Sequence, residues 1–225
     1  MASFLFVAVM VSLLSACDRQ SQLVFDGRTM GTTYQVKLVP GEQSVSDDLG
    51  QKIQSRLDNL NNTFTTYQQD SELMLLNRAP VGQTYAVSQD MLHVLNIAKE
   101  VHQLTSGAFD PTVGALVNLW GFGPQNTGNQ IPAEADIAAE LTLVDFNKLQ
   151  ITPDGASIIR SSDIALDMSA VAKGYAVDAV AELLEQEGFN NYLVEVGGEL
   201  RLKGVKANKD PWRIAIEVPS LERGL

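Results

Sequence analysis

From Tyr34 to Val39 apolar and polar residues alternate, the period of a half-buried strand, and Gly31 offers a turn just before it. The period then changes. Ile53, Leu57, Leu60 and Phe64 recur at helical spacing, which predicts an amphipathic helix over Asp47 to Asn62. A second helix is predicted from Ser88 as N-cap, with Asp90 in its first turn and Met91, Leu95, Ala98 and Val101 as its buried stripe; Gly107 ends it. Residues 124–132 are rich in Gly, Asn, Gln and Pro and read as an exposed loop, after which Pro132 can open a short helix over Ala133 to Leu141. Leu149 to Thr152 and Ser157 to Arg160 flank Pro153-Asp154-Gly155, a hairpin turn signal, and Ile164 to Leu166 follows as a third short strand. A helix over about Ala170 to Gln186 would bury Val171, Ala172, Tyr175, Ala179, Val180 and Leu183, with Gly188 closing it. Tyr192 to Val196 reads as a strand running into the Gly197-Gly198 turn, and Arg213 to Val218 as the last strand.

Strands and helices are thus interleaved, but without regular βαβ spacing and without a G-x-G-x-x-G after a strand. That pattern predicts an α+β fold, a mixed sheet with packed helices, and argues against a Rossmann fold.

The N-terminus has a different character. Phe4 to Leu14 is apolar but short of the roughly 20 residues that span a bilayer. It ends in Leu14-Ser15-Ala16-Cys17, the pattern of a lipoprotein signal peptide, with cleavage after residue 16 and lipid on Cys17. Cys17 is the sole cysteine of the chain, so no internal disulfide explains it. Asp18 resembles the signal that keeps such proteins at the inner membrane. The expectation is a signal peptide over 1–16, a polar tether over 17–27 and one domain over 28–225, held by its lipid on the periplasmic face of the bacterial inner membrane.

Composition narrows the chemistry further. About 208 residues follow Cys17, enough for one sizeable domain. The net charge of −11 disfavours nucleic acid as a partner, because phosphate backbones demand Lys and Arg. An acidic protein that takes a phosphate must hold it locally, by a metal, by backbone N–H groups or by one placed lysine. No zinc-type Cys/His spacing is present, and His93 and His102, nine residues apart on one predicted helix, read as packed or solvated.

Two glycine-rich stretches stand out. Gly107-Ala108-Phe109-Asp110-Pro111-Thr112-Val113-Gly114 runs on into Asn118-Leu119-Trp120-Gly121-Phe122-Gly123-Pro124. Its plain reading is a helix C-cap and turn; its functional reading is a place where backbone approaches a ligand and a ring is sandwiched. Asp167-Met168-Ser169-Ala170-Val171-Ala172-Lys173-Gly174-Tyr175-Ala176 leads from a strand end into a helix N-terminus, a natural seat for phosphate, with Ser169 as a candidate N-cap. Lys173 sits where the helix dipole disfavours a cation, which makes sense if it meets an anion; a solvated lysine is the alternative. Weaker signals are Thr29-Met30-Gly31-Thr32, Thr65-Thr66-Tyr67 and Gly197-Gly198-Glu199, the last read as a structural turn.

Together, in order from about Thr29 to Arg213, these segments resemble the FAD:protein FMN transferases, the ApbE family. The resemblance implies FAD contacts at Met30, Tyr67, Ala108, Phe109, Asp110, Asp167 and Lys173, with Trp120 and Phe122 as a pocket floor. It also implies Mg²⁺ bound across the FAD pyrophosphate and liganded by the Ala170 carbonyl. In such enzymes a threonine hydroxyl of a target flavoprotein attacks the flavin-side phosphorus, FMN stays on the threonine and AMP leaves. An FAD pyrophosphatase and a non-catalytic flavin-binding lipoprotein are the alternatives. The resemblance further implies a histidine-bearing stretch and acidic metal ligands beyond Leu225, so these 225 residues alone are expected to have little transferase activity and an exposed edge near Val218.

Overall fold

A computed structural model describes residues 21–124, 130–153 and 155–216. Cys17 and Asp18, on which the lipid-anchor expectation rests, lie outside the described residues, as does Asp154 of the expected hairpin turn.

Strand β1 (Leu23–Thr29) pairs with β2 (Thr32–Leu38), β2 with β6 (Tyr192–Val196) and β6 with β7 (Glu199–Lys203), giving a four-stranded antiparallel sheet in the order β1-β2-β6-β7. A second antiparallel sheet, ordered β3-β5-β4, joins Thr84–Ala86, Ser157–Arg160 and Leu149–Ile151. Six helices accompany the sheets among the described residues: α1 (Leu49–Phe64), α2 (Glu72–Arg78), α3 (Gln89–Leu104), α4 (Gly114–Leu119), α5 (Glu134–Leu141) and α6 (Ala172–Gln186). This is the expected α+β arrangement, without the parallel sheet of a Rossmann fold.

The core lies between the inner face of the larger sheet and two of these helices. Val36, Leu38, Tyr192, Val194 and Val196 face Leu49, Ile53, Leu57 and Leu60 of α1 and the small residues Ala176, Ala179 and Val180 of α6. Alanines let α6 lie close to both α1 and the sheet. For the same reason the buried stripe of α6 runs through Ala176, Val177 and Leu184, whereas Val171, Tyr175 and Leu183 are only partly buried.

Several boundaries differ from expectation. The 17–27 tether is interrupted, because β1 begins at Leu23. Gly27 disguises that strand; it is needed because a Cβ there would lie 2.7 Å from Cε1 of Tyr34, its cross-strand neighbour. Ile164 to Leu166 is not a strand but carries one isolated parallel bridge, Val113 to Ala165. Residues 213–216 form no strand; Ile216 is 94% exposed, and residues 217–218 lie outside the description. Helix α6 starts at Ala172 rather than Ala170, and Val171 occupies its cap position without a side-chain bond, so Ser169 is not an N-cap. Helices α2 and α4 and strand β7 went unanticipated. They are short, and tertiary contacts rather than periodicity sustain them.

Candidate functional site

Two tight turns meet at one end of the larger sheet. Met30-Gly31 joins β1 to β2 with φ of 47° and 73°, and Gly197-Gly198 joins β6 to β7 with φ of 55° and 99°. Two-residue hairpins with both φ values positive match the right-handed twist of the strands, and glycine is the natural occupant. Met30 is the exception: a bulky L-residue in the left-handed region carries strain of about 1 kcal/mol or more. Because β2 pairs with β6, the turns are neighbours, and Gly197 N–H donates to the Thr33 carbonyl at 3.1 Å.

The uncapped start of α6 and the end of α1 reach the same sheet end. Between them lies a cavity of about 410 Å³, within the size range of small-molecule sites. Met30, Gly31, Phe64, Tyr67, Ser169 and Lys173 are among its lining residues. Apolar and aromatic groups thus share one space with an ammonium and a helix N-terminus, whose free N–H groups favour anions. Lys173 Nζ lies 3.0 Å from Glu199 Oε1 and donates to the Gly197 carbonyl at 3.4 Å. Tyr67 is 69% exposed, and its hydroxyl donates to the Phe122 carbonyl at 3.5 Å.

Of the residues singled out by resemblance, Met30, Tyr67 and Lys173 therefore share a cavity. Ala170 is exposed and lines a neighbouring cavity of about 270 Å³ together with Glu199 and Asp178. Ala108, Phe109, Asp110 and Asp167 line neither of these two cavities. They form a second cluster held by main-chain bonds. Asp167 N–H donates to the Pro111 carbonyl at 2.8 Å and Gly114 N–H to the Ala165 carbonyl at 2.9 Å, so the two glycine-rich segments lie side by side.

Within that cluster both oxygens of Asp110 accept from neighbouring protein groups. Oδ1 accepts from Thr112 N–H at 2.8 Å and from the Thr112 hydroxyl at 2.6 Å; Oδ2 accepts from Phe146 N–H at 3.1 Å. Asp167, buried at 8% exposure, accepts from Ser169 N–H at 2.8 Å and so shapes the turn into α6. Phe109 packs against the core, and Ala108 is exposed. Trp120 and Phe122 are 41% and 78% exposed, and neither lines the 410 Å³ cavity.

Several supporting residues escaped the sequence reading. Asn77 of α2 brackets the Leu166 backbone, donating to its carbonyl at 2.9 Å and accepting from its N–H at 2.8 Å. His102 meets the Phe109 carbonyl at 2.8 Å and stacks on Phe146, whereas His93 is exposed with its ring tilted against Tyr175, so one histidine is packed and the other solvated. A lone Asn on a short helix gives no sequence signal; only the fold brings it to residue 166. Among the described residues no group of three or more His, Cys, Asp or Glu side chains converges as a metal cage.

The fold and site define a two-sheet α+β domain in which a cavity of about 410 Å³ joins aromatic, apolar and cationic groups beside a helix N-terminus. The model of the ApbE family matches residues 30–224, and the chain belongs to that family. It is 38% identical over 227 residues to the FAD:protein FMN transferase of Vibrio cholerae, covering 99% of this chain and 67% of that protein. With the Haemophilus influenzae enzyme of the same name it shares 37% over 222 residues, 95% of this chain and 64% of the relative. The solved flavin transferase ApbE from Vibrio cholerae superposes with a TM-score of 0.84 at 39% identity, covering 88% of this chain and 64% of that structure. The chain spans about two thirds of the length of these relatives.

Proposed function

We propose that the chain binds FAD in the 410 Å³ cavity and serves transfer of FMN from FAD to a threonine hydroxyl of a target flavoprotein. The observation that carries this reading is the presence of Met30, Tyr67 and Lys173 on one cavity at the mouth of α6. Met30 and Tyr67 would contact the rings, and the Lys173 ammonium with the N–H groups of Lys173 and Gly174, beyond the two that Met168 accepts, would hold phosphate oxygens. The names of the relatives support the activity. In the transfer the hydroxyl oxygen forms a bond to the flavin-side phosphorus, the bridging P–O bond breaks, AMP leaves and the hydroxyl proton is released. Most of the protein's part in such a reaction is positioning and charge stabilisation.

The same reading includes Mg²⁺, which supplies charge neutralisation on the phosphates when bound. The exposed Ala170 carbonyl is available to it, since no described N–H bonds to it. One carbonyl does not meet the octahedral oxygen demand of Mg²⁺, and the described residues add no converging carboxylate set. The pattern ending at Cys17 adds a lipid tether to the periplasmic face of the inner membrane, which membrane fractionation and the mass of the mature N-terminus would test; a soluble protein with unmodified Cys17 would overturn it.

Titration with FAD, followed by flavin fluorescence, tests the site: saturable binding is expected, weakened by Tyr67→Ala and by Lys173→Met. Absence of binding, or equal binding in both variants, would remove the cavity as the site. Incubation with FAD, Mg²⁺ and a threonine-bearing acceptor tests the activity. AMP and covalent flavin in equal amounts support transfer. AMP with free FMN would make the protein a pyrophosphatase, and intact bound FAD a flavin carrier.

A further inference from the structure

Glu199 opens β7 directly after the Gly197-Gly198 turn and pairs through Oε1 with Lys173 Nζ at 3.0 Å. The ammonium also donates to the Gly197 carbonyl at 3.4 Å, so two protein oxygens hold it. The lysine stem is held against the turn as well, since a Cβ on Gly197 would lie 3.1 Å from Lys173 Cδ. Lys173 lines the first cavity and Glu199 the second, so the pair stands on the wall between them. The remaining Glu199 oxygen, Oε2, is buried and takes no hydrogen bond from any described group. A carboxylate so placed depends on Lys173 for compensation, because a buried oxygen without a donor is costly.

We propose that Glu199 is a positioning residue that sets the charge selectivity of the cavity by competing with the ligand for Lys173. This rests on the reading of the cavity as the FAD site. An anion entering the cavity must draw the ammonium from Glu199 or share it. Drawing it away leaves Glu199 uncompensated, a cost that every anionic ligand meets. A pyrophosphate, with two negative charges, outweighs a single carboxylate whose side chain is 41% exposed; a singly charged ligand gains less, and an uncharged flavin neither meets the cost nor benefits from the lysine. The pair thus tempers the anion attraction of the cavity: FAD gains from Lys173 only what exceeds the Glu199 contact, and an uncharged flavin is unaffected.

Parallel titrations of wild type, Glu199→Gln, Glu199→Ser and Lys173→Met with FAD and with riboflavin, which has the ring but no phosphate, test the idea. Both Glu199 variants are expected to bind FAD about three- to ten-fold more tightly, the scale of a half-exposed ion pair, with riboflavin unchanged. Lys173→Met is expected to weaken FAD alone. Glu199→Ser guards against a fold defect peculiar to the amide. Unchanged or weaker FAD binding in both Glu199 variants, or equal shifts for FAD and riboflavin, overturns the proposal while the FAD site stands. Wild-type protein that binds no FAD overturns the site and this inference together.

Discussion

Arg56 of α1 grips Asp90 of α3 with both terminal guanidinium nitrogens, at 2.6 and 2.7 Å. Tyr175 of α6 donates its hydroxyl to the same carboxylate at 2.5 Å, so one side chain joins three helices. The Tyr175 ring also meets Phe64 edge-on at 6.0 Å, and Phe64 lines the main cavity. The wall of the site is therefore braced from behind by a polar network whose members do not line that cavity.

That network predicts a pH profile. The Arg56 guanidinium, ahead of the Tyr175 hydroxyl and against the opposing effect of burial, holds the Asp90 carboxyl below the usual carboxylate range. Its stabilisation is present above the unfolded value of about 3.9 and is lost as pH falls through the lower folded value. Burial first, then the bond to Asp90, pushes the Tyr175 hydroxyl up to about 12. Its contribution is full below its ordinary value of 10.0 and is lost as pH rises toward about 12. Urea unfolding across pH should show that Tyr175→Phe shrinks the alkaline loss, leaving the share of Tyr192, whose hydroxyl burial also pushes up to about 12. Asp90→Ala should cost about 2 kcal/mol at neutral pH and flatten the acid limb. Identical pH profiles in wild type and variants would contradict this.

Met30 sits at φ 47° on the cavity mouth. Met30→Gly should relieve that backbone and raise stability by up to about 1 kcal/mol. Flavin affinity should fall in the same protein, because the thioether contact is gone. Thermal unfolding and FAD titration measured together check both signs; a variant less stable than wild type would show that Met30 is held by packing and not strained.

Gly114 admits no side chain. A Cβ there would stand 2.7 Å from the Ala165 carbonyl oxygen and 3.0 Å from its carbon, both main-chain atoms. Gly114→Ala must push apart the segments that hold Asp110 and Asp167, and about 1–3 kcal/mol of stability should be lost. Chemical denaturation is the measurement, and a loss below experimental error would show that the two segments separate freely.

Asp110 and Lys173 should respond in opposite ways. Asp110→Ala strands the N–H groups of Thr112 and Phe146 and should lower stability by about 2 kcal/mol, with FAD affinity of the folded protein unchanged. Lys173→Met should weaken FAD, and its loss of stability from leaving Glu199 without its partner should stay at about 1 kcal/mol or less, because the pair is partly exposed. A large affinity loss in Asp110→Ala without destabilisation would return Asp110 to direct ligand contact.

The sequence by itself determined the elements whose burial is periodic. Ile53, Leu57, Leu60 and Phe64 mark α1, and the alternation from Tyr34 marks β2, because a helix or strand with one apolar face must bury it at its own period. The order of glycine-rich segments also determined the family. The tertiary structure alone decided which of those segments share a cavity. Met30, Tyr67 and Lys173 meet because β2 pairs with β6 and α6 packs on α1, contacts between residues more than a hundred positions apart that leave no local pattern. Likewise Gly27 reads as loop until Tyr34 lies across from it, and only the fold shows that Asp110 accepts from Thr112 and Phe146. A side chain's available lone pairs depend on what the fold brings beside it, and that is fixed only by long-range packing.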